Sequence, residues 1–205
     1  MDEYTSPLFV EPAPTSNLSD IIVLNATEAP HKVVFRRRAG DRWHDVTAAD
    51  FLTEVQGVAK GLIASGVAAG DRVGLMAKTR YEWTLIDFAI WTAGAVTVPI
   101  YETSSAEQVQ WILSDSQAVA ILIETPEHQA TLKEVDGELS HLKSTWMIDG
   151  GAIDQLTAAG SGVSDEALET RRTSVVAADL ATIIYTSGTT GRPKGCELTL
   201  SLIHI

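Results

Sequence analysis

Ala118-Val119-Ala120-Ile121-Leu122-Ile123 is a continuous apolar run. A run this short, without polar alternation, suits a central parallel strand covered on both faces. Its neighbours agree. Arg72 to Ala77, Val96 to Pro99 and Thr145 to Ile148 read as further short strands. Between them lie stretches with apolar residues at helical spacing. These are Phe51, Val55, Val58 and Leu62; Ile86, Ala89, Ile90 and Ala93; Val109, Ile112 and Leu113; and Leu132, Val135, Leu139 and Leu142. Such alternation with short connections implies right-handed crossovers. The expected fold class is α/β, a mostly parallel sheet with helices on both faces.

Local signals mark the element ends. Thr47 with Asp50, and Ser104 with Glu107, have capping-box spacing, while Gly66 and Gly94 stand where helices stop. Thr125-Pro126 opens another helix, and Pro99 closes a strand because it cannot donate to a ladder. Residues 1–26 carry Pro7, Pro12 and Pro14 and read as an extended lead-in to a domain over 27–199. Lys32 to Arg38 and Arg42 to Val46 flank a turn at Ala39-Gly40-Asp41 and suggest an edge hairpin. From Gly150 to Ala178 the pattern weakens to loop, with one helical turn around Glu166 to Arg171.

Composition excludes several functions. A formal net charge of −12 argues against nucleic-acid binding, which needs clustered cations. The start, Met1-Asp2-Glu3-Tyr4, is acidic where a secretory signal would be basic. The longest uncharged stretch, Phe88 to Tyr101, is shorter than the ~20 apolar residues of a spanning helix. Cys196 is the single cysteine, which favours a reducing, cytoplasmic location. The five histidines show no metal-ligand spacing, and the five tryptophans read as packing.

Leu180 to Tyr185 restores strand character and leads into Thr186-Ser187-Gly188-Thr189-Thr190-Gly191-Arg192-Pro193-Lys194-Gly195. Glycines allow close backbone approach, hydroxyls donate hydrogen bonds and a lysine adds charge, so the loop suits polyphosphate. A Walker A loop is excluded: counting from Gly188 or Gly191 puts Pro193 or Cys196 where the second glycine belongs. The dinucleotide fingerprint fails because Thr190 takes its second glycine's place. In an open α/β sheet, the carboxyl ends of the strands are where ligands bind.

Tyr185-Thr-Ser-Gly-Thr-Thr-Gly-x-Pro-Lys-Gly195 resembles the phosphate-loop signature of the adenylate-forming (AMP-binding) superfamily. Val98-Pro99-Ile100-Tyr101-Glu102-Thr103-Ser104-Ser105 resembles the long-chain fatty acid–CoA ligase branch. The resemblance implies the N-terminal part of an ATP-dependent ligase. In that family a carboxylate attacks the α-phosphorus of ATP to give acyl-adenylate and pyrophosphate. Coenzyme A thiolate then displaces AMP. Carried over by position, Thr186, Ser187, Gly188, Thr189, Thr190 and Gly191 would cradle the β- and γ-phosphates. Thr189 would hold Mg²⁺, and Lys194 would act on the loop or pyrophosphate as the catalytic cation. The implied partners are fatty acid and coenzyme A. Long-chain acids partition into bilayers, so the resemblance also allows a membrane-peripheral location, although no basic amphipathic helix here supports it.

Tyr185 reads as a strand-end core residue, Arg192 as solvent-facing, and Cys196 as a small apolar strand residue. After Thr199, Leu200 to Ile205 departs from the family pattern as an atypical tail, and no C-terminal domain follows. The 205-residue chain is therefore expected to form no acyl-CoA alone. Two alternatives stay open: an adenylate-forming enzyme for another carboxylic acid, and a non-catalytic, weakly nucleotide-binding module.

Overall fold

A computed structural model describes residues 13–186 and 192–199. In chain order the elements are α1 (Asp20–Glu28), β1 (Val33–Ala39), β2 (Arg42–Thr47), α2 (Ala48–Ala64), β3 (Arg72–Met76), α3 (Tyr81–Thr92), β4 (Val96–Ile100) and α4 (Ala106–Ser116). Then come β5 (Ala120–Ile123), α5 (Pro126–Lys133), β6 (Ser144–Met147), α6 (Ala152–Ala159), α7 (Asp165–Thr173), β7 (Leu180–Thr186) and β8 (Lys194–Thr199). The main sheet has the order β6-β5-β3-β4-β7-β8, parallel except for the antiparallel edge strand β8. The hairpin β1–β2 forms a sheet of its own.

Alternation along β5 shows why the sheet is covered twice. Ala120 and Leu122 pack into one cluster with α2, α3 and α6, whereas Ile121 and Ile123 face the other with α4 and the segment around Leu132. Each strand residue thus serves one of two cores, the arrangement that an uninterrupted apolar run anticipates.

Thr47 caps α2 through a full capping box with Asp50. The next box is displaced by one residue from the expected Ser104–Glu107 pair. Ser105 accepts from the Gln108 N–H at 3.3 Å, and Gln108 accepts from the Ser105 N–H at 3.0 Å. Pro99 lies inside β4, opposite Leu75, rather than ending it. The helix after Pro126 stops at Lys133, and a tight turn at Asp136–Glu138 around Gly137 replaces its expected continuation. Val135 and Leu139 are buried all the same, so their spacing reported burial rather than helix.

Two segments differ more. Residues 20–28 form a helix where extended chain was expected, because α1 is held by distant groups. The Asn17 side-chain amide donates to the Arg172 carbonyl at 3.2 Å, and the Arg172 guanidinium pairs with Asp20. Between 150 and 178, α6 stands where loop was expected, and α7 extends the helical turn expected around Glu166 to Arg171. α7 is polar; Ser164 caps it, accepting from the Ala167 N–H at 3.1 Å, with Asp165 and Glu166 in its first turn and Arg171 and Arg172 in its last. Those charges complement the helix dipole, a contribution that apolar periodicity does not register.

Candidate functional site

β3, β4, β5 and β7 are parallel, so their carboxyl ends, Met76, Ile100, Ile123 and Thr186, share one edge of the molecule. Thr97 is level with Thr182, which places Tyr101 and Thr186 level four residues later. Tyr101 is 75% exposed there. The Thr-Gly-rich loop therefore leaves β7 at the edge where open α/β sheets bind ligands.

Of the sequence-predicted site residues, Thr186 and Lys194 are described; Ser187, Gly188, Thr189, Thr190 and Gly191 lie outside the described residues, as does the tail 200–205. Thr186 ends β7, Lys194 begins β8, and the two are cross-strand partners. The loop thus closes an antiparallel hairpin, and its lysine stands directly across from its first hydroxyl. Both are exposed, and the Lys194 side chain makes no ion pair or hydrogen bond with a described residue. An uncompensated ammonium at a strand end can approach phosphate oxygens without first breaking a protein contact.

Both legs of the hairpin are held by α4. On the entering leg, the Tyr185 hydroxyl donates to the Asp115 carboxylate at 2.6 Å. Burial, and then the Asp115 carboxylate, push the Tyr185 phenol well above its usual pKa, so it stays a protonated donor. On the leaving leg, Trp111 Nε1–H donates to the Pro193 carbonyl at 2.9 Å, and the Arg192 guanidinium lies 4.6 Å from the centre of the Trp111 ring. Gly195 completes the fit. A Cβ there would stand 2.8 Å from Ile183 Cγ2 and 3.2 Å from Tyr185 Cζ. This glycine leaves room for the Tyr185 ring.

Tyr185 is a core residue as expected, with an added hydrogen bond. Arg192 is exposed but stacked on Trp111, so it is not simply solvated. Trp111 is more than packing. Cys196 is a strand residue of β8 as expected, exposed, with its sulfur 3.8 Å from Thr186 Oγ1. A sequence signal for the α4 contacts exists only in part: Trp111 and Asp115 are four apart and share a helix face.

A second polar cluster occupies the carboxyl ends of β3, β5 and β6. Arg80 reaches Glu82 at 2.6 Å, Glu124 at 3.0 Å and Asp149 at 2.9 Å, while the Lys78 N–H donates to Glu124 at 2.8 Å. Three carboxylates engage the Arg80 guanidinium through Nε and Nη1, which makes it a tie between crossovers. A cleft of about 710 Å³ runs past Leu180, Ile183 and Tyr185 towards Arg72 and Gln117. It follows the flank of β7.

The profile of the family described as "AMP-binding enzyme" matches residues 23–203. The chain is 46% identical over 192 residues to the long-chain-fatty-acid–CoA ligase FadD15 of Mycobacterium bovis, covering 92% of this chain and 32% of the relative. The long-chain-fatty-acid–CoA ligase ACSBG2 of Xenopus laevis is 28% identical, covering 81% and 24%. The chain thus spans about a third or less of the length of these relatives. Among solved structures, VinN superposes with a TM-score of 0.75 at 21% identity, covering 92% of this chain and 45% of that one, a likeness of fold.

Proposed function

The chain belongs to the AMP-binding enzyme family, and from that premise we propose that it is the N-terminal part of an ATP-dependent long-chain fatty acid–CoA ligase. One observation carries this reading. Thr186 and Lys194, the first hydroxyl and the lysine of the loop, pair across a hairpin at the carboxyl end of the parallel sheet, with the Lys194 side chain exposed and unpaired among the described residues.

The residues fit a polyphosphate on chemical grounds. No acidic side chain lies between Tyr185 and Gly195, so nothing in the loop repels phosphate oxygens. Mg·ATP, when bound, supplies the activated phosphorus and a leaving group whose charge must be dispersed. Thr186 to Gly191 would donate to β- and γ-phosphate oxygens, and Thr189 would offer its hydroxyl to Mg²⁺. Lys194 would stabilise charge developing on the departing pyrophosphate, which lowers the barrier only so far as the contact is stronger in the transition state. Coenzyme A would serve in the second half-reaction, carried out by the protein at the length of its relatives.

The fatty-acid assignment rests on the relative that is 46% identical. A cytoplasmic location suits the free, exposed Cys196 thiol. None of the described helices is long and apolar enough to cross a membrane.

Titration calorimetry with Mg·ATP on the chain and on Lys194→Ala tests the reading. Removing the cation is expected to weaken binding about tenfold, as for one charge-assisted contact. Identical titrations for the two proteins would remove the loop from the site.

A further inference from the structure

Trp111 and Asp115 are the residues through which α4 touches both legs of the loop hairpin. They lie one helical turn apart, so a single helix face grips the entering strand at Tyr185 and the leaving segment at Arg192-Pro193. The contacts are polar and directional, unlike the apolar packing that fixes the rest of α4 through Val109, Ile112 and Leu113. Pro193 has no N–H, so it cannot exchange paired ladder hydrogen bonds as its neighbours do. Its carbonyl is fixed by the indole instead. Stacking on the same indole engages Arg192 at the helix, while Lys194, two residues on, makes no ion pair with a described residue.

We propose that Trp111 and Asp115 are positioning residues for the phosphate loop, setting the spacing of its two ends and hence where Thr186 and Lys194 can meet a nucleoside triphosphate. The inference rests on the phosphate-binding reading of the loop and names a further determinant of it. Geometry gives the reason. The hairpin is pinned by Thr186 pairing with Lys194, and α4 adds one anchor to each leg beside that pair, at Tyr185 before Thr186 and at Pro193 on the loop side of Lys194. Losing either anchor leaves that leg of the hairpin held by fewer contacts, and the loop ends can spread. Spreading separates the lysine from the hydroxyls that must engage the same polyphosphate, so affinity falls although no ligand-contacting group has been removed.

A structural control lies in the same strand. Trp91 Nε1–H donates to the Ala181 carbonyl at 3.0 Å, near the start of β7. Trp91→Phe thus removes an indole hydrogen bond to the same strand, far from the loop. The test compares the unsubstituted chain with Trp111→Phe, Asp115→Asn, Trp91→Phe and Lys194→Ala. Mg·ATP affinity is measured by calorimetry, stability by urea unfolding, and backbone opening by hydrogen exchange of the peptides on either side of the loop. Trp111→Phe, which removes one net hydrogen bond, and Asp115→Asn, which keeps an acceptor oxygen for Tyr185 but loses the charge that strengthens the bond, are each expected to weaken Mg·ATP binding about fivefold. They are also expected to speed exchange in Ile184–Thr186 and Lys194–Cys196. Trp91→Phe should lower stability and leave affinity unchanged.

Should Trp111→Phe and Asp115→Asn match the unsubstituted chain in affinity while Lys194→Ala weakens it, the positioning role is overturned and the phosphate-loop reading stands. An unsubstituted chain that binds no better than Lys194→Ala overturns both. Equal loss of affinity in Trp91→Phe would reduce the effect to general stability and also overturn the proposal. If Trp111→Phe fails to fold, Asp115→Asn decides the matter from the other leg.

Discussion

Gly61→Ala is expected to destabilise the chain by about 3 kcal/mol or more, at the upper end of what overpacking costs. Gly61 lies near the end of α2, where a Cβ would stand 2.1 Å from the Leu156 carbonyl oxygen and 2.7 Å from the Leu156 Cα. The obstacle is backbone, which cannot rotate away. Gly160 mirrors it across the contact: a Cβ there would meet the Gly61 nitrogen at 2.6 Å. α2 therefore approaches the α6 segment backbone to backbone, and an added methyl must push that segment off the core that Leu156 helps to fill. Helix propensity works the other way, since Ala favours an isolated helix by about 1 kcal/mol over Gly. The steric term wins because the misfit is about an ångström against close-packed main chain. Gly57→Ala gives the contrast. Its Cβ would lie 3.1 Å from the Thr157 side chain, which can turn aside, so a change within about 1 kcal/mol is expected. Urea midpoints of the two variants decide it. A Gly61→Ala chain as stable as Gly57→Ala would mean that α6 slides freely on α2.

Asp87 is expected to make stability fall as pH rises. It lies on α3 at 8% exposure, and burial pushes its carboxyl up to about 7. The Thr97 hydroxyl lowers the value somewhat, although Thr97 Oγ1 has no partner at hydrogen-bonding geometry. A carboxyl with a raised folded value keeps its proton in the native state after the unfolded chain has lost its own. Its contribution is therefore complete below about pH 4 and is lost as pH rises towards 7. Between pH 5 and pH 8 the loss should be about 2–3 kcal/mol, at 1.36 kcal/mol per unit. Asp87→Asn carries no charge to bury, so its urea stability should be flat over that range and exceed that of the unsubstituted chain at pH 8. Equal slopes for both proteins would show that Asp87 ionises without cost.

Much of the architecture was legible because it is local. Thr47 and Asp50 supply a complete helix start within four residues, and the apolar run ending at Ile123 states by itself that a sheet is covered twice. What misled were elements held from elsewhere. α1 is tied down by Arg172, more than a hundred residues away, and α6 is fixed by packing on α2. Leu132, Val135 and Leu139 kept their burial while the helix beneath them ended, because Gly137 sits where the chain turns.

For the candidate site the division is sharper. The order of Gly, Thr, Pro and Lys between Tyr185 and Gly195 pointed to the family and to the polyphosphate ligand we propose, since backbone approach, hydroxyl donors and charge are properties of neighbouring residues. Only the tertiary structure decided what holds that loop. The Trp111–Pro193 and Asp115–Tyr185 contacts join residues 82 and 70 apart in the chain. They exist because parallel pairing brings β7 next to β4, beneath the helix that follows it. A motif specifies which groups meet a ligand; their spacing is set by packing between distant segments, which no local pattern encodes.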